Sequence, residues 1–273
     1  MRKIVIGIMG FVLCSIIKIG AKGLKVSPAE IILQDVIPGE FYNLGEVANV
    51  KIAVYNDDEK ENVFTIGCYK SHVVGKIMKG YTEIPDTEWV SFDRREIKIE
   101  GNGKGYINVF LKIPGEEKYY NQHWCCYIGI VGKSEYGVSL GLYIRMRIET
   151  KEKEEIFTKP YGEIVVVPSK IVFKKEDVKK IKIYNISKKG VKIKIQPIEE
   201  IKEIRRYISS GYKNFPENCF LNFEKEISIP PNSKKEIPIK LILKDKAIYG
   251  KFEKVFFLNY GRKTIFFRVR KEK

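Results

Sequence analysis

Val50-Lys51-Ile52-Ala53-Val54-Tyr55-Asn56 is answered, roughly 130 positions later, by Lys180-Ile181-Lys182-Ile183-Tyr184-Asn185. Both stretches alternate apolar and polar residues and end on Tyr-Asn. The likeness extends outward on either side. Upstream, Val26-Ser27-Pro28-Ala29-Glu30-Ile31 is matched by Val167-Pro168-Ser169-Lys170-Ile171. Downstream, Ser91-Phe92-Asp93-Arg94-Arg95-Glu96-Ile97-Lys98-Ile99 is echoed by Asn222-Phe223-Glu224-Lys225-Glu226-Ile227-Ser228-Ile229. A period this long describes two copies of a whole domain, not a solenoid of small repeats.

The N-terminus has the make-up of a processing segment. Arg2 and Lys3 precede an apolar run from Ile4 to Ile17, which Lys18 ends, and Ala21 and Gly23 offer small residues for cleavage. The run falls short of the ~20 residues that a spanning helix needs. Residues 1–23 are therefore expected to be a signal peptide. Cys14 follows Leu13, which is not the small residue that a lipidation site wants. The remainder divides into an expected domain one over 24–150 and domain two over 156–273, with the charged stretch Glu149 to Glu155 between them. The chain is then expected outside the cytoplasm, secreted or periplasmic in the cell envelope.

Charge is distributed unevenly over this duplication. From Lys22 to Lys153 there are 18 basic and 19 acidic residues, and from Glu154 to Lys273 there are 29 basic and 15 acidic. Domain two alone is basic, and such a field attracts anionic partners. Outside a cell these are an anionic envelope polymer, a membrane surface or an acidic protein. Nucleic acid suits the charge but not the leader.

Turn signals punctuate both copies: Pro38-Gly39, Gly101-Asn102-Gly103, Pro114-Gly115, Pro230-Pro231-Asn232 and Tyr260-Gly261. Between them lie period-2 runs, such as Tyr106 to Ile113, Val191 to Ile195 and Ile237 to Leu243. Short strands at this spacing predict an all-β chain of two tandem immunoglobulin-like β-sandwiches. One segment departs from the pattern. Ile198, Ile201, Ile204 and Ile208 recur at helical spacing before Gly211, which predicts one short helix over Ile198–Ser210 in domain two.

The residues offer little catalytic chemistry. The two histidines, His72 and His123, have no nucleophile and acid arranged around them in sequence, and no Gly-rich phosphate loop or Gly-x-Ser-x-Gly elbow is present. The reading is a non-enzymatic protein without a cofactor. Cys68-x-x-x-His72 and His123-x-Cys125 have the composition of a zinc site but a loose spacing, and no metal is expected. In an oxidising compartment a disulfide is expected from Cys68 to either Cys125 or Cys126. Adjacent strand residues point to opposite faces, so only one of the two serves. Cys219 stands alone in domain two as a free thiol.

With these residues in hand, the chain resembles periplasmic pilus-assembly chaperones, which carry two immunoglobulin-like domains behind a signal peptide. The resemblance lies in Val26-Ser27-Pro28 as a first strand and in Lys51 to Asn56 as a second strand ending on Asn. It continues in Phe92 to Val109, which lacks the family's Pro, and in Val138 to Ile148 as the last strand of domain one. In that family the last strand lends alternating apolar residues to an incomplete pilin sandwich. The resemblance implies that Val138, Leu140 and Leu142 are the donated residues. It implies that Arg147 grips the partner's C-terminal carboxylate, and that the partner is a polypeptide, a pilin-like subunit. The family's second cation falls where this chain has Glu30. A structural or adhesive envelope protein, whose basic second domain holds an anionic polymer or membrane surface, is the alternative.

Overall fold

The computed structural model describes residues 19–21, 23–75, 77–132, 140–244 and 249–272. They form two compact units. The first holds the chain up to Ile77 with Glu83–Gly115 and Trp124–Glu149; the second holds Met78–Thr82, Glu116–His123 and the chain from Thr150 on.

The first half of the chain supplies β1 (Ile19–Ala21), β2 (Leu24–Ser27), β3 (Glu30–Val36), β4 (Phe41–Asn43), β5 (Lys51–Asn56) and β6 (Asn62–Lys70). It continues with β7 (Thr82–Glu83), β8 (Val90–Phe92), β9 (Glu96–Ile99), β10 (Lys104–Lys112), β11 (His123–Gly132) and β12 (Leu140–Thr150). One sheet runs β1-β2-β5-β10-β4, with β8 also on β10. The facing sheet runs β3-β12-β11-β6-β9, with β7 on β11. The second half supplies β13 (Ile164–Val167), β14 (Lys170–Phe173), β15 (Val178–Asn185), β16 (Val191–Pro197), β17 (Lys213–Asn214) and β18 (Cys219–Asn222). It ends with β19 (Glu226–Ile229), β20 (Ser233–Leu243), β21 (Phe252–Tyr260) and β22 (Lys263–Lys271). Its sheets run β13-β15-β20-β18 and β14-β22-β21-β16-β19, with β17 on β21. The all-β fold of two immunoglobulin-like sandwiches read from the sequence is the fold observed.

The alternation seen in the sequence sorts residues between core and solvent. Ile107, Val109 and Leu111 of β10 are buried while Lys104, Tyr106 and Lys112 are exposed. In unit two, Ile181 and Ile183 pack with Ile193, Ile195, Ile227, Ile229, Ile237 and Ile239 in one apolar cluster. Trp124 is fully buried in unit one, its ring 5.4 Å from that of Trp89.

Each unit's opening strand is divided by a proline. Pro28 stands between β2 and β3, which lie in different sheets, and Pro168 stands likewise between β13 and β14; both follow cis peptide bonds. Proline has no N–H for a ladder, so the chain changes partner there. Immediately afterwards the Ala29 carbonyl accepts from Arg145 N at 3.3 Å, and the Ser169 carbonyl accepts from Arg268 N at 2.9 Å.

The Tyr-Asn ending explains itself once both sheets are in view. Asn56 is 1% and Asn185 0% exposed. The Asn56 Nδ2 donates to the carbonyls of Lys60, Ile99 and Glu100 at 2.7, 3.0 and 3.1 Å. The Asn185 Nδ2 donates to those of Lys189, Ile229 and Pro230 at 2.8, 3.1 and 2.8 Å. Each Oδ1 accepts a backbone N–H two residues on, from Asp58 and from Ser187, at 3.1 Å. One amide thus ties the end of a strand in one sheet to the end of a strand in the facing sheet.

The helical segment is shorter than its isoleucine spacing predicts. α1 (Leu44–Val47) and α2 (Ser71–Val74) are single turns in unit one, and α3 spans Ile201–Tyr207. The sheet claims Ile198 first, since its N–H donates to Val255 O at 3.1 Å. At the other end Ser209 is held by Glu253, which accepts from its N–H at 2.7 Å and its hydroxyl at 3.0 Å.

Asn56→Ala strips the amide from three carbonyls and is expected to destabilise unit one by about 2–4 kcal/mol. Asn185→Ala should do the same to unit two. Urea denaturation checks this; a loss under about 0.5 kcal/mol would remove the cross-sheet role.

Candidate partner-binding face

β12 carries the expected site. From Ile144 onward its even-numbered residues, Ile144, Met146 and Ile148, are fully buried in the core. Its odd-numbered residues, Tyr143, Arg145 and Arg147, therefore lie on the opposite, outward side of the sheet. Leu142 is half-buried and Leu140 opens the strand, while Val138 lies outside the described residues.

Arg147 does not stand ready for an incoming carboxylate. Its side chain is only 2% exposed, with Nε 3.1 Å and Nη2 3.2 Å from the two oxygens of Glu30. Glu30 thus supplies internally the carboxylate that the resemblance sought from a partner. Arg145 shares the same acid, Nη1 to Oε1 at 3.3 Å, yet keeps 39% of its side chain exposed. Its Nε also donates to the Tyr127 hydroxyl at 3.5 Å. Of the two arginines gathered on Glu30, Arg145 is the accessible one.

Aromatic rings surround this charge. Tyr69 pairs with Tyr127 across the β6–β11 ladder, and Gly67 with Gly129. Tyr143 meets Tyr69 edge-on at 5.9 Å and Tyr127 at 6.5 Å. The glycines make room: a Cβ at Gly129 would lie 2.6 Å from the Tyr69 ring, and one at Gly67 3.2 Å from it. The outward side of β6 and β12 thus carries Tyr69 and Tyr143 beside Arg145, with Tyr127 of β11 buried against them.

The cysteines and histidines do not assemble a metal site. His72 is exposed and bound to Glu83, Nδ1 to Oε1 at 2.8 Å. His123 stacks on Phe266 with ring centres 3.8 Å apart and planes 3° from parallel. Among the described residues no three His, Cys, Asp or Glu side chains gather as metal ligands. No disulfide joins Cys68, Cys125, Cys126 and Cys219.

Unit two repeats the arginine arrangement on its own last strand. Arg268 Nη1 and Arg270 Nε lie 2.8 and 2.7 Å from the oxygens of Glu253, which is fully buried. Arg268 also donates to Tyr207 O at the end of α3. Here both arginines are buried.

No family model and no curated protein matches the chain. Solved structures do. The likeness is to two-domain periplasmic pilus chaperones, and it is distant. The periplasmic chaperone SfaE is 9% identical over 92% of this chain and all of its own, with a TM-score of 0.31. The E. coli chaperone DraB is 11% identical over 92% of this chain and 96% of its own, with a TM-score of 0.31. A protein of unknown function from Porphyromonas gingivalis W83 is 12% identical over 92% of this chain and all of its own, with a TM-score of 0.37. These matches concern the fold.

The sequence reading singled out β12 and Arg147, and the structure brings Arg145 and the three tyrosines to the same sheet. A signal was present: Tyr127 and Gly129 alternate with Cys126, Ile128 and Ile130, and so do Gly67 and Tyr69 with Ile66 and Cys68. Glu30→Ala leaves the Arg147 guanidinium buried without its carboxylate and is expected to cost about 3 kcal/mol or more. Arg145→Ala, at a partly exposed position, should cost about 1 kcal/mol or less. Chemical denaturation followed by circular dichroism distinguishes them; equal losses would contradict the division of roles.

Proposed function

We propose that the protein is a non-enzymatic, secreted or periplasmic binder of a polypeptide partner, acting by strand addition as a pilus-assembly-type chaperone does. The observation that carries this reading is the edge of β12. β3 takes up its place beside β12 where Ala29 O accepts from Arg145 N. The contacts Ala29 to Arg145 and Gln34 to Glu149 advance together, so β3 covers the C-terminal half. Leu140–Ile144 precede that junction, and Pro28 directs the chain before it into the other sheet. An extended segment from a partner would find backbone donors and acceptors there, with Leu140 and Leu142 as the alternating apolar contacts and Val138 continuing them.

In this reading Arg145 supplies the accessible charge for a C-terminal carboxylate, and Arg147 holds Glu30 and orients the pair. A peptide of alternating apolar residues with a free C-terminal carboxylate is the probe. Arg145→Ala is expected to weaken its binding about tenfold or more, matching the loss of one charge-assisted hydrogen bond. Amidating the peptide's C-terminus should have the same effect and abolish the difference between the proteins. Binding that is indifferent to both changes would remove the anchor.

The charge of unit two favours a second reading, in which its surface holds an anionic envelope polymer or membrane. Lysines recur across the outward side of β15 and β20, where Lys180 pairs with Glu236 and Lys182 with Glu155. Such binding, measured with an anionic polysaccharide or acidic lipid vesicles, should weaken steeply between low and physiological salt. Salt-independent retention would count against it.

A further inference from the structure

Three cysteines of unit one meet at the β6–β11 ladder. The register sets Cys68 opposite Ile128 and Cys126 opposite Lys70, so Cys68 and Cys126 lie one diagonal step apart. They also share a face. Phe64 and Ile66 on β6 and Ile128 and Ile130 on β11 are core residues, and Cys68 and Cys126 keep the same parity. Cys125, one residue away, points to the other face. Its thiol is within 3.9 Å of the Cys126 carbonyl.

We propose that Cys68 and Cys126 form a reversible disulfide that locks β6 to β11, and that Cys125 stays a thiol. Cys126 is fully buried, whereas Cys68 is partly exposed and receives the oxidant first. With glutathione disulfide as oxidant, the Cys68 thiolate attacks one sulfur, its proton leaves to water, and one glutathione thiolate departs and is protonated. Cys126 then loses its proton and attacks the Cys68 sulfur of the mixed disulfide, displacing the second glutathione. The protein gives up two electrons and two protons, and one glutathione disulfide becomes two thiols.

The Cys126 thiol is pushed well above its ordinary value, first by its hydrogen bond with Cys68 and then by burial. The second step is accordingly slow near neutral pH and quickens as pH rises. Diffuse disulfide exchange would favour exposed thiols; here the ladder sets the buried Cys126 one diagonal step from Cys68 on the same face.

In the cell the bond rests on the secreted or periplasmic reading, which supplies the oxidising surroundings. The chemistry does not, so the test begins with the purified full chain. After incubation with glutathione disulfide, the thiol count in denaturant is expected to fall by two and peptide mapping to join Cys68 to Cys126. The melting temperature should rise by roughly 5–15 °C and return on reduction. Cys125→Ser should leave the bond intact and Cys126→Ser should prevent it. A Cys68–Cys125 link, or thiols that persist at equilibrium with excess oxidant, overturns the proposal. A bond that forms in vitro but is absent from protein recovered from cells supports the pairing and counts against the secreted reading.

Discussion

The two sandwiches depend on one side-chain amide each. Sheets that face one another are held by apolar contact, which is strong but has no direction, so their offset must be set by something else. Asn56 and Asn185 set it. Each sits at the end of a central strand, buried, and delivers its Nδ2 to carbonyls at the end of a strand in the facing sheet. A buried amide left without those carbonyls would cost more than the bonds contribute in water, so the alternative offsets are penalised. The hydrophobic clusters then pack against a fixed frame.

A second constraint is shared and then diverges. The last strand of each unit carries Arg-x-Arg, Arg145-Met146-Arg147 and Arg268-Val269-Arg270, with the central residue in the core and the arginines on the outward face. Each pair is gathered by one glutamate, Glu30 or Glu253. In unit two the group is sealed beneath the end of α3, where Ser209 and Tyr207 complete its hydrogen bonds. A sealed group of this kind restrains the fold and offers nothing to a ligand. In unit one the corresponding arginine remains partly in water. The same local chemistry is thus sealed in one copy and partly exposed in the other.

Much of this was legible in the sequence because burial in most strands is one-sided. Tyr106 to Ile113 and Ile237 to Leu243 alternate in letters as they do in space. β11 does not, since it is covered on both faces from His123 to Ile130, and its run of apolar and aromatic residues hides which side each occupies. The partner of Arg147 was out of reach for another reason. Glu30 lies 117 positions away on the strand beyond Pro28, and no local pattern links them. The helix ended early because Val255 and Glu253, more than 40 residues downstream, take the backbone groups at its two ends.

The burial of Trp124 against Trp89 has a practical consequence. These are the chain's two tryptophans, and both belong to unit one. Indole emission is therefore a reporter for one sandwich alone, while the amide spectrum averages over both. A protein whose two halves melt at different points would show one transition in fluorescence and two in ellipticity, so each domain's stability can be followed without separating it from the other.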